Sequence, residues 1–101
     1  MNKIIEQIGE CAVLEQLAEE CVELAQAALK LARKKRGENP TPKNESECIL
    51  DLVEEIADIH VCLEVIHDLD WFDEDLVGIF FDYKVKRWNE RLEGSAENDK
   101  G

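Results

Sequence analysis

Between Asn44 and Asp68 the chain carries Ile49, Leu50, Leu52, Val53, Ile56, Ala57, Ile59, Val61, Cys62, Leu63, Val65 and Ile66, with no glycine or proline among them. The run is too long for one strand and lacks strand-like alternation, so it reads as a helix. Its start is signalled by Asn44, with Glu47 three residues on as a capping box. The apolar positions cover almost every side of that helix. A helix of this kind must be buried on most sides. The chain has only 101 residues and few other helices to surround it. The expected fold is therefore all-α: an antiparallel bundle of two long helices plus a third, C-terminal one, completed by homo-oligomerisation.

The flanking segments fit that plan. Residues 3–8 predict a short helix carrying Ile4, Ile5 and Ile8, ended by Gly9. From Cys11 to about Lys35, Val13, Leu14, Leu17, Ala18, Cys21, Leu24, Ala25, Ala28, Leu29 and Ala32 repeat with the 3.6-residue period of a long amphipathic helix. Arg33 to Arg36 place four cations in its last turn, where they favour the helix dipole, and Gly37 is the expected stop. Glu38 to Lys43 predict a polar loop with Pro40 and Pro42. Asp68 to Trp71 predict a turn. Asp73, Glu74 and Asp75 then gather at the positive end of a last helix with Leu76, Val77, Ile79, Phe80, Tyr83 and Trp88. That helix is expected to end near Glu93-Gly94, giving one domain over 1–94 and a disordered tail over 95–101.

A net charge of −12, from 24 acids against 12 bases, lacks the basic footprint of a nucleic-acid binder or membrane-surface protein. No stretch is apolar for long enough to span a bilayer, and the N-terminus breaks off too soon for a signal peptide. Cys11, Cys21, Cys48 and Cys62 include no Cys-x-x-Cys pair and sit in helical apolar patterns. They read as small buried hydrophobes of a cytoplasmic protein.

Function is carried by two acidic clusters, Glu19-Glu20-Cys21-Val22-Glu23 and Glu54-Glu55-Ile56-Ala57-Asp58. Glu20 and Glu23 share a helix face, as do Glu55 and Asp58. None of these four has a Lys or Arg three or four positions downstream. Like charges at that spacing repel by a few tenths of a kcal/mol on an exposed helix, and by more when desolvated. If the two helices pack with these faces together, the carboxylates need cations between them. A cage of hard oxygens suits Mg²⁺.

Leu17 to Leu24, followed after a loop by Glu54 to Ile59, resembles the E-x-x-E … E-x-x-D signature of MazG-like all-α nucleotide pyrophosphohydrolases. The resemblance covers roughly residues 10–92. Lys84-Val85-Lys86-Arg87-Trp88-Asn89-Glu90-Arg91 looks like the closing basic segment of that family. Two features depart from the pattern: the spacer from Glu23 to Glu55 is long, and Trp88 stands where many members have Asn. The resemblance implies cleavage of a nucleoside triphosphate between its α and β phosphates, with Mg²⁺ or Mn²⁺ as cofactor. It implies Glu20, Glu23, Glu55 and Asp58 as metal ligands. Glu20 would also take part in catalysis, and Glu19 would assist as an outer group or as the base that orients water. It also implies Lys84, Arg87 and Arg91 on substrate phosphates. The expected partners are the nucleotide and one or three further copies of the chain, as a homodimer or homotetramer.

Other readings of the same residues exist. Acid pairs three apart are common on solvated helix faces, and cations at a helix C-terminus can serve only the dipole. The aromatics Trp71, Phe72, Phe80, Phe81, Tyr83 and Trp88 recur at helical spacing and read as core rather than as a base-stacking platform. Gln16, one turn before Glu20, either reaches a ligand or faces solvent. Glu64 and His67 match half of a di-iron Glu-x-x-His set, which needs a second such pair; His60 has Ala57 three residues before it. The rival to the enzyme is a non-catalytic acidic helical module that oligomerises through the buried helix and offers its acidic face to a basic partner.

Overall fold

A computed structural model of the chain describes residues 2–38 and 42–100, with side chains up to residue 94. Four helices and no strand are found among them: α1 (Lys3–Ile8), α2 (Glu10–Arg36), α3 (Glu45–Ile66) and α4 (Glu74–Lys100). The all-α expectation holds, and the helix limits of α1 to α3 fall within two residues of those read from the sequence.

The ends of the helices follow from their capping residues. Asn2 accepts a hydrogen bond from the Ile4 amide at 2.8 Å and starts α1. Gly9, at φ 87°, breaks the path between α1 and α2, a backbone angle that side chains with a Cβ rarely adopt. α2 stops at Gly37, φ 73°, where the Glu38 amide donates to the Arg33 carbonyl at 2.9 Å and the Gly37 amide to that of Lys34 at 3.2 Å. This paired closure satisfies carbonyls that the helix end would otherwise strand. The capping box of α3 is formed in both directions: the Glu47 amide donates to Asn44 Oδ1 at 2.9 Å, and the Asn44 amide to Glu47 Oε1 at 3.2 Å. Asp73 caps α4 by accepting from the Leu76 amide at 3.0 Å. Pro40, in the expected loop, lies outside the described residues.

α4 departs from expectation at its far end. Its backbone stays helical through Gly94 to Lys100 rather than stopping near Glu93-Gly94. A glycine weakens a helix interior by about 1 kcal/mol but does not end it unless the backbone turns left-handed. Gly94 is not among the positive-φ glycines.

The chain divides into two compact units, Met1–Asp70 and Trp71–Gly101, each described by itself. In the first, α2 and α3 form an antiparallel hairpin. Lys35 near the end of α2 pairs with Glu45 at the start of α3 at 3.3 Å. At the other end Val13 and Gln16 share a cavity wall with Val61, Cys62 and Val65. α1 folds back on this end of the hairpin. The core is the seam: Val13, Ala27, Cys48, Cys62, Val65 and Ile66 are buried, together with Ile5 and Leu69. Much of the remaining apolar surface of α3 is not covered within this unit. Leu50, Val53, Val61 and Leu63 are all exposed, as are Ile49 and Ile56 at about 40%. The second unit consists of α4 and the short segment from Trp71 that leads into it. It buries no described side chain, and Phe81 and Trp88 are among its exposed aromatics.

Candidate metal centre

The hairpin seam has a simple register. Along α2, Val13, Gln16, Glu20, Glu23, Ala27 and Lys30 follow at alternating steps of three and four. Along α3, Cys48, Asp51, Glu55, Asp58, Cys62 and Val65 do the same. Such steps keep residues on one helix stripe. Because the helices run in opposite directions, the middle of one stripe meets the middle of the other. There the apolar layers give way to acids. Glu20, Glu23, Glu55 and Asp58 each offer a carboxylate oxygen, and the four atoms lie within 4.8 Å of one another. The four residues expected from the sequence to converge therefore do so.

Glu20 and Glu55 sit deeper, half-buried in line with Ala27 and Cys48, while Glu23 and Asp58 are exposed on one flank. Gln16 Nε2 donates to Glu20 Oε1 at 2.8 Å. The second oxygens, Glu20 Oε2 and Glu55 Oε2, are shielded from solvent and have no hydrogen-bond partner. Shielded carboxylate oxygens left unmatched are costly. The cost shows in proton affinity. Desolvation is the main reason that the Glu55 carboxyl is raised above the ordinary carboxylate range, and the charges of Glu23, Asp58 and Glu20 add to it. Glu20 is also raised, first by desolvation; the Gln16 hydrogen bond opposes the rise and the charges of Glu23 and Asp58 reinforce it.

This donor set fits a hard divalent cation. All four donors are oxygens, which suits Mg²⁺ or Mn²⁺ over a thiophilic metal. Opposite ligands of one octahedral Mg²⁺ stand about 4.2 Å apart, from bond lengths of roughly 2.1 Å, so the 4.8 Å set needs only a slight contraction around one ion. Cys62, buried four residues beyond Asp58, does not join the set. Burial, and then the negative charges of Glu20 and Asp58, push its thiol up, which keeps it protonated. All four cysteines are free. Among the described residues no second metal-holding group gathers around Glu64 and His67.

Of the other sequence candidates, one belongs to the same unit as the four carboxylates and three to α4. Glu19 is exposed and outside the converging set. Lys84, Arg87 and Arg91 form one stripe of α4, exposed and without an ion pair among the described residues. Gln16 is the polar neighbour of the carboxylates that the sequence flagged. The residues that sequence reasoning missed are Gln26, Lys30, Lys43 and Asp51, which line a cavity of about 270 Å³ with Glu23, Glu54 and Glu55. One signal was available: Lys30 follows Glu23 by two helical turns. Its use needed the hairpin register.

No helix among the described residues is long and apolar enough to cross a membrane. No family model, curated protein or solved structure matches the chain.

Proposed function

We propose that the chain is a Mg²⁺-dependent nucleoside triphosphate pyrophosphohydrolase that releases a nucleoside monophosphate and pyrophosphate. The observation that carries this reading is the convergence of Glu20, Glu23, Glu55 and Asp58 on one point of the hairpin seam. An all-carboxylate site would repel a polyanionic nucleotide. A divalent cation held there reverses that sign and stabilises charge developing on the leaving pyrophosphate. Glu20 and Glu55 hold their shielded oxygens ready as ligands, and Gln16 fixes the Glu20 carboxylate by its hydrogen bond. Glu23 and Asp58 complete the set from the open flank, where substrate enters. Glu19, beside Glu20, orients the attacking water. Lys84, Arg87 and Arg91 hold phosphate oxygens.

The exposed apolar stripe of Ile49, Val53 and Ile56 supports assembly with further copies of the chain, which would cover it. The activity belongs to nucleotide-pool cleaning in the cytoplasm under this reading.

A nucleotide panel with and without Mg²⁺ tests it. Monophosphate plus pyrophosphate, formed only with the cation and lost in Glu55→Gln, is the expected result. Diphosphate plus phosphate, or no turnover of any nucleoside triphosphate, would refute it in favour of an acidic interaction module.

A further inference from the structure

We propose that the cavity continuing from Glu23 and Glu55 toward the α2–α3 connection seats the terminal phosphates of the substrate, with Lys30 as the charge that holds them. The proposal rests on the pyrophosphohydrolase reading and gives the nucleotide a direction along the seam.

The two ends of the seam differ in chemistry. Beyond Glu20 and Asp58, toward α1, lies a small cavity of about 120 Å³ walled by Ile4, Ile8, Val13, Val61 and Val65, with Gln16 at its edge. A phosphate placed among these carbons would lose its hydration with almost nothing in return. Beyond Glu23 and Glu55, in the opposite direction, the cavity is polar and contains Gln26, Lys30 and Lys43. Of these two cavities only this one offers cations to phosphates leaving the carboxylate layer, and the less polar nucleoside end then points toward α1.

The lysines of the cavity have different partners. Lys43 is bound to Asp51, Nζ to Oδ2 at 2.6 Å, and so cancels that acid's repulsion of an incoming anion. Lys30 faces the same cavity and makes no ion pair among the described residues, although Glu23, Asp51, Glu54 and Glu55 line it too. It is therefore free to meet an anion. Lys30 stands seven residues beyond Glu23, about 10 Å along the helix axis. Phosphates that run on from a cation at Glu23 and the flexible lysine side chain close that interval from its two ends.

Inorganic tripolyphosphate is the direct probe, titrated into the full chain with Mg²⁺ by calorimetry, with nucleotide hydrolysis followed in parallel. Lys30→Ala should weaken tripolyphosphate binding ten-fold or more and raise KM for the triphosphate, with Tm unchanged. Lys30→Arg should restore most of the binding. Lys3→Ala, a charge loss on exposed α1, should leave binding at the parent level. The proposal is overturned if the parent fails to bind tripolyphosphate, if Lys30→Ala binds it as tightly as the parent, or if Lys3→Ala weakens it equally. Normal hydrolysis with Lys30→Ala at the parent KM refutes the seat of the phosphates and leaves the enzyme reading standing. Lys30-dependent tripolyphosphate binding without turnover supports the seat and refutes the enzyme.

Discussion

The middle of the α2–α3 seam and its two ends occupy equivalent helical positions but answer to different demands. Val13, Ala27, Cys48, Cys62 and Val65 at the ends are buried and apolar. Their burial stabilises the hairpin at about 25 cal/mol per Å² removed from water. In the middle, Glu20 and Glu55 take the same stripe and bring shielded, unpartnered oxygens and like charge. Those positions work against the hairpin unless something cationic joins them. The contrast separates what holds the helices together from what they are held together to do.

That division can be broken most sharply at the ends. Ile66→Ala removes a buried side chain from the end of the seam and should cost about 2–5 kcal/mol of stability, read by denaturant melts. Glu55→Gln, in the middle, should leave the cation-free protein no less stable than the parent. An equal loss from both would erase the distinction between the two regions. Next in size, Lys84→Ala and Arg87→Ala should each lower kcat/KM ten-fold or more, as expected for a lost charge-assisted contact of roughly 1.5–3 kcal/mol. Their stability should stay within about 0.5 kcal/mol of the parent, as for surface changes. Activity at the parent level, or activity lost only through unfolding, would remove α4 from the phosphate-binding role. Asn44→Ala should cost about 1 kcal/mol by removing the side-chain arm of the α3 capping box, in which Asn44 Oδ1 accepts from the Glu47 amide, with metal affinity unaffected.

Legibility of these features in the sequence varied with the distance over which each is decided. Helix limits were readable because Asn44, Glu47, Gly9 and Gly37 act on their own neighbours. The four carboxylates were readable because the acids repeat at the spacing of a helix face and lack basic neighbours. The end of α4 was misjudged because a glycine stops a helix only with a left-handed backbone, and composition does not report φ. The cavity with Lys30 and Lys43 was invisible for a different reason. Lys30 and Asp51 become neighbours only when two helices meet in one register, and no local pattern encodes that pairing.

The smallest effect is a pH dependence with a defined sign. Glu20 and Glu55 are raised in the folded state, so between the ordinary carboxylate pKa and the raised values the native chain holds more protons than the unfolded one. Their contribution to stability is full below the ordinary value and is lost as pH rises through the raised ones. Melts without divalent cation should therefore show stability falling through that window, and the fall should shrink in a Glu20→Gln, Glu55→Gln double variant. A double variant with the parent's slope would assign the trend to overall charge instead.

The most direct test of the account is the response of Tm to Mg²⁺. A cation that binds only the folded hairpin stabilises it by about 2.7 kcal/mol at a hundred times its Kd. The parent should gain Tm with rising Mg²⁺, and Glu20→Gln, Glu23→Gln, Glu55→Gln and Asp58→Asn should each respond more weakly. The same Mg²⁺ response in the parent and in all four variants would contradict the metal centre outright.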